Sequence, residues 1–175
     1  MAKLRHYPNL ETLKQVYYGL IYPHLIYAIT IWGSSNTNRL KNKQNKIVNP
    51  MHFSNHGRAF HSLSYKRSNL LKLNDICLIQ LALFVYDFRN ENLPPIFNDY
   101  FIPKLRDGIR TRGNENNYYQ KFFKTKFANL CIKTTGVKAW EKVPNHIKNA
   151  KSRQSFKKQL QRHILRNYVI ICNAE

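Results

Sequence analysis

The side chains able to do chemistry in this chain are overwhelmingly cations: 29 Lys and Arg stand against 9 Asp and Glu, a formal charge of +20 over 175 residues. Phosphoryl transfer and nucleotide polymerisation need clustered carboxylates to hold divalent metal. Here Asp75, Asp87, Asp99 and Asp107 stand apart, with no Asp-Asp, Asp-x-Asp or Glu-x-x-His. His52, His56 and His61 recur at spacings of four and five residues, yet no cysteine or nearby carboxylate completes a ligand set, and a polar loop is the better reading. The glycines are scattered, so no phosphate-cradling loop is present, and no G-x-S-x-G or Cys-His signature appears. No catalytic residue and no metal site are expected.

Those cations make sense as binders. Residues 1–87 carry 11 basic and 3 acidic side chains, residues 88–175 carry 18 and 6, and the stretch from Lys142 to Ala174 has eight basic residues and no acid. Such an excess repels itself unless a polyanion is near, and RNA or DNA is the usual one. Two groups are the expected phosphate contacts. Lys158, Arg162 and Arg166 form a row in the last predicted helix, about 200° around the axis from an apolar stripe of Phe156, Leu160, Ile164 and Tyr168. Arg106, Arg110 and Arg112 fall in a Gly-, Asn- and Asp-containing stretch that reads as an exposed loop. Trp32 and Trp140 could stack on bases, but each lies in apolar context beside a turn, which favours anchoring a core.

The elements that must position these groups are mainly helical. With 43% apolar and 13% aromatic residues, the chain can build a core. Apolar spacing predicts a helix pair or kinked helix over 9–32, with Pro23 kinking it by removing the donor for the Gly19 carbonyl. A basic helix capped by Asn36 or Thr37 runs to about Val48, where Pro50 closes it. An irregular connection fills 52–69. A long apolar helix from about Asn74 to Asn90, with Asp75 in its first turn, should be central to the core. Alternating Phe and Lys near 119–135 suggest a short β-hairpin, Gly136 marks a turn, and residues 145–149 form a helical turn. Ser152 caps the amphipathic basic helix of about 153–170. The fold class expected is thus mainly α and irregular.

Residues 15–38 hold no formal charge, but Pro23-His24 and four tyrosines within Val16–Trp32 favour a core helix over a membrane span. Cys77, Cys131 and Cys172 are 54 and 41 residues apart, too widely spaced for a paired disulfide framework or a zinc set. A reducing, intracellular setting is expected, nuclear or cytoplasmic.

At Tyr17–Gly33 the sequence YYGLIYPHLIYAITIWG resembles the segment downstream of the polymerase palm in reverse transcriptases of non-LTR retrotransposons, of the jockey and LINE type. The resemblance continues in order along the chain. It covers Gln44–Ile47, Leu71-Lys72-Leu73-Asn74-Asp75, Asn92-Leu93-Pro94 with Phe97, Thr111-Arg112, Gly136 with Trp140–Pro144, and Ser155-Phe156-Lys157. Asn49, Val137 and Glu141 depart from the family pattern, as a drifting copy would. The resemblance implies one C-terminal fragment, spanning 1–175, of an RNA-directed DNA polymerase: the thumb and downstream regions that grip template and primer. The family's fingers and palm, with the Tyr-x-Asp-Asp motif that holds magnesium, match nothing here. No cofactor is then expected in this fragment, and its partners would be RNA or DNA and the palm and fingers of the parent polymerase. The alternative is a degenerate structural or interaction remnant with no independent activity.

Overall fold

The computed structural model describes residues 9–35, 37–52, 64–104 and 117–168. In chain order the helices are α1 (Leu10–Val16), α2 (Tyr22–Ile26), α3 (Ile29–Trp32), α4 (Asn38–Val48), α5 (Leu73–Arg89), α6 (Ile132–Glu141), α7 (Asn145–Lys148) and α8 (Arg153–Asn167). Short 3₁₀ turns lie at Asn49–His52, Pro95–Phe97 and Ala128–Leu130, and residues 64–67, inside the stretch read from sequence as an irregular connection, form a helical turn. Among the described residues there is no strand, only an isolated antiparallel bridge between Pro103 and Tyr118. The mainly α, irregular helical architecture is as the sequence predicts.

The chain divides into two compact units, one of residues 1–77 and 161–175, the other of residues 78–160. In the first, Asn9 caps α1 by accepting the Thr12 N–H at 2.9 Å. The chain then widens into a π-helical turn, Tyr17–Ile21, which delivers Pro23 into the first turn of α2, where a missing N–H does least harm. The sharp break comes later, at Ala28, whose left-handed backbone (φ 50°) separates α2 from α3. Gly33 ends α3 against Cys77: a Cβ there would lie 2.4 Å from the Ile29 carbonyl oxygen and 2.6 Å from Cys77 Sγ, so no larger residue fits. Pro50 does not stop the helical path after Val48, because a 3₁₀ turn carries the chain through it to His52.

The first unit is held by Gln44, fully buried on α4. Its Nε2 donates to Tyr17 Oη and to the Leu71 carbonyl, both at 2.9 Å, and its Oε1 accepts the Leu73 N–H at 2.9 Å. The start of α5 is therefore satisfied from a distance rather than by Asn74. The neighbouring Lys72 N–H donates to Tyr168 Oη at 3.0 Å, and the Tyr168 hydroxyl donates in turn to the Asp75 carboxylate.

In the second unit, Ile79, Leu81, Ala82, Leu83, Val85 and Tyr86 of α5 are all buried, as a core helix requires. Trp140, wholly buried, stacks on Phe156 at 5.9 Å between centroids, and Phe156 stacks on Tyr86 at 4.7 Å. Two sequence expectations fail here. Residues 119–135 form no hairpin: the backbone runs through irregular turns into the Ala128–Leu130 3₁₀ turn and then α6. Gly136 is no turn residue either. It lies inside α6 and is there for proximity, since a Cβ would meet the Phe101 ring at 3.1 Å and Val85 at 3.3 Å.

Candidate nucleic-acid interface

Helix α8 is built as its spacing predicts. Ser152 caps it, its Oγ accepting the Ser155 N–H at 3.2 Å. Phe156, Leu160 and Tyr168 are buried and Ile164 is half-buried, so the apolar stripe is the docked face. Lys158, Arg162 and Arg166 are all exposed. No ion pair joins any of the three to another described residue. Helical rise places successive members of the row about 6 Å apart along the axis, one helical turn after another.

Other cations nearby are occupied with structure. Arg153 Nε contacts both oxygens of the largely buried Asp87 carboxylate, at 3.0 and 2.9 Å, which fixes the first turn of α8 to α5. Lys148, only 3% exposed, donates from Nζ to Asn117 Oδ1 at 3.0 Å and lies 5.4 Å from the centre of the Trp140 ring. Burial pushes its ammonium below the usual lysine range, with Arg89 adding repulsion and Glu141 opposing it. Arg89 in turn donates to the Lys148 carbonyl at 3.3 Å. These side chains are part of the fold; the α8 row is a surface.

Arg106, Arg110 and Arg112, the second expected contact group, lie outside the described residues, as do His56 and His61. Among the described residues no group of three or more His, Cys, Asp or Glu could hold a metal ion. Asp75 and Asp87, two of the carboxylates in the sequence, serve Tyr168 and Arg153. Trp140 is a core anchor, and Trp32 is half-buried with its indole N–H donated to the Tyr27 carbonyl at 2.6 Å. No described helix is long and apolar enough to cross a membrane.

One surface feature escaped the sequence reading. Tyr119, Phe122, Phe123 and Phe127 are all exposed, alongside exposed Lys121, Lys124 and Lys126. The signal was present in the alternation itself, which reads equally as a strand with one buried face or as rings and cations that all face water. Comparison with protein-family models, with curated proteins and with solved structures finds no match to this chain.

Proposed function

We propose that the chain is a non-catalytic, nucleic-acid-binding region of a non-LTR retrotransposon reverse transcriptase, the C-terminal part that grips template and primer. The reading rests on the ordered sequence resemblance. The single structural observation that carries the binding part is the exposed, carboxylate-free row Lys158, Arg162 and Arg166, set on a helix whose opposite face is docked. A row of this kind contacts phosphates, not base edges, so it supplies affinity and register without sequence preference. Magnesium and the catalytic carboxylates belong to the palm on this reading, and the setting is intracellular, nuclear or cytoplasmic.

The test is a salt titration of binding to a primer–template RNA–DNA hybrid, with duplex DNA as control and the triple variant Lys158→Gln, Arg162→Gln, Arg166→Gln alongside. Each lost phosphate contact should flatten the slope of log K against log salt by about 0.9. The triple variant should therefore lose about three counterions' worth of slope while its relative preference among sequences stays the same. An unchanged slope removes α8 from the binding surface.

A second reading draws on the first unit, where Tyr18, Leu20, Tyr27 and Ile31 are exposed at 46–79%. On that reading this apolar surface packs against the palm of the parent polymerase, and the isolated chain is a remnant without activity of its own. Self-association that persists in high salt would favour it, because screening weakens charge contacts and leaves apolar ones intact.

A further inference from the structure

Four aromatic rings within nine residues stand in solvent: Tyr119 is 50% exposed, Phe122 80%, Phe123 36% and Phe127 87%. A folded domain normally buries such rings, each of which carries a large hydrophobic area. None of the four has a ring partner among the described residues, whereas the adjacent Tyr118 is buried against Phe88 and Phe101.

The backbone beneath these rings is tied down. Tyr119 N–H donates to the Ile102 carbonyl at 2.9 Å, and Thr134 Oγ1 to the Lys121 carbonyl at 3.2 Å. Asn129 clamps the centre: its Oδ1 accepts the Phe123 N–H at 2.9 Å, and its Nδ2 donates to the carbonyls of Phe123 at 2.6 Å and Thr125 at 3.0 Å. The Ala128 N–H completes the turn on Thr125 Oγ1 at 3.2 Å. A fixed loop thus presents rings outward instead of collapsing over them.

The charge around the rings selects the occupant. Lys121, Lys124 and Lys126 alternate with the aromatics and are exposed, and from residue 116 to residue 140 there is no acidic side chain. Flat apolar faces interleaved with cations fit a polyanion that also offers flat apolar faces, which is a nucleic-acid strand with its bases unpaired. In a duplex the base faces are already stacked on each other and give such rings nothing to meet.

We infer that residues 119–127 form a platform for single-stranded nucleic acid. Bases stack on Phe122 and Phe127, with Tyr119 and Phe123 beside them, and Lys121, Lys124 and Lys126 meet the phosphates. The inference deepens the nucleic-acid reading proposed above and rests on it, while using other residues than those of α8 and a different form of the ligand.

The experiment measures anisotropy of a labelled oligo-dT 15-mer and of a blunt 15-base-pair duplex with the full chain and with Phe122→Ala/Phe127→Ala. Both rings are exposed, so the variant should fold, which circular dichroism checks. Stacking is worth about fivefold or more in affinity per ring. The double variant should therefore bind the single strand roughly 25-fold more weakly, with its salt slope and duplex affinity unchanged. Lys121→Gln/Lys124→Gln/Lys126→Gln should instead flatten the single-strand slope by about 2. Oligo-dT binding that ignores the loss of both rings overturns the platform. If hybrid binding then still depends on α8, the proposed function survives without it; if neither probe binds, both fall. Loss of self-association in the double variant, with oligo-dT binding intact, would assign the rings to a protein partner and equally overturn the inference.

Discussion

Gln44 shows how much one side chain can hold. Its amide satisfies the Tyr17 hydroxyl, the Leu71 carbonyl and the Leu73 N–H, all away from water. Leucine fills similar volume but leaves these groups to find other partners or go without. Each buried polar group left unmade costs about 1–3 kcal/mol. Gln44→Leu should therefore destabilise the chain by about 2–4 kcal/mol in urea unfolding, and a loss under 0.5 kcal/mol would mean the network is dispensable. This role was invisible in the sequence, where Gln44 opens a stretch that resembles the family pattern but gives no sign that its amide turns inward. Periodicity reports which face is apolar; it cannot report a polar residue turned inward to close a distant helix start. Tyr168 was half legible for the same reason: its place on the α8 stripe followed from spacing, its hydroxyl bond to Asp75 did not.

At the scale of elements, the long periodic segments were legible and the short irregular ones were not. Helices α4, α5 and α8 fall within a few residues of where the sequence puts them, because each has three or more turns of consistent signal, although of the described capping candidates only Ser152 makes its cap bond, Thr37 making none. Helix α6 was missed through its glycine. Gly136 is poor helix chemistry, yet helix α6 keeps it because the Phe101 ring and Val85 occupy the space a side chain would need. Gly136→Val puts a branched side chain into that contact. It should lower stability by about 1–3 kcal/mol, from overpacking, read as a drop in melting temperature. A stabilised Gly136→Val variant would show that Phe101 yields and that proximity is not what selects glycine. The absent hairpin has the opposite cause. Strand reading assumes that one of two alternating faces is buried, and over 121–127 every residue is exposed.

Over the whole molecule, the buried phenols set an alkaline limit. Burial pushes Tyr17 up to about 12, with Gln44 partly offsetting the effect, and raises Tyr65 and Tyr168 well above their usual range, Asp75 adding to the rise at Tyr168. In the unfolded chain these groups ionise near pH 10. Their contribution to stability is thus complete below pH 10 and lost as the pH climbs towards 12 and beyond, where the unfolded state has shed protons that the folded state still holds. Lys148, lowered by burial, works in the other direction, but as one amine against three phenols. The melting temperature should fall steeply from pH 10 to 12, measured at fixed ionic strength; a flat profile would contradict the burial of these hydroxyls.

The placement of the indoles has a practical result. The chain has 2 tryptophans, Trp32 in one compact unit and Trp140 in the other. Trp140 is sealed from water beside Phe156 and Lys148, whereas Trp32 is half-buried near the surface. Each unit thus carries one indole of its own, the sealed one expected to emit to the blue of the half-buried one and to resist soluble quenchers. With one indole replaced by phenylalanine, the emission that remains belongs to a single unit, and the order in which the two give way can be watched without attaching any dye.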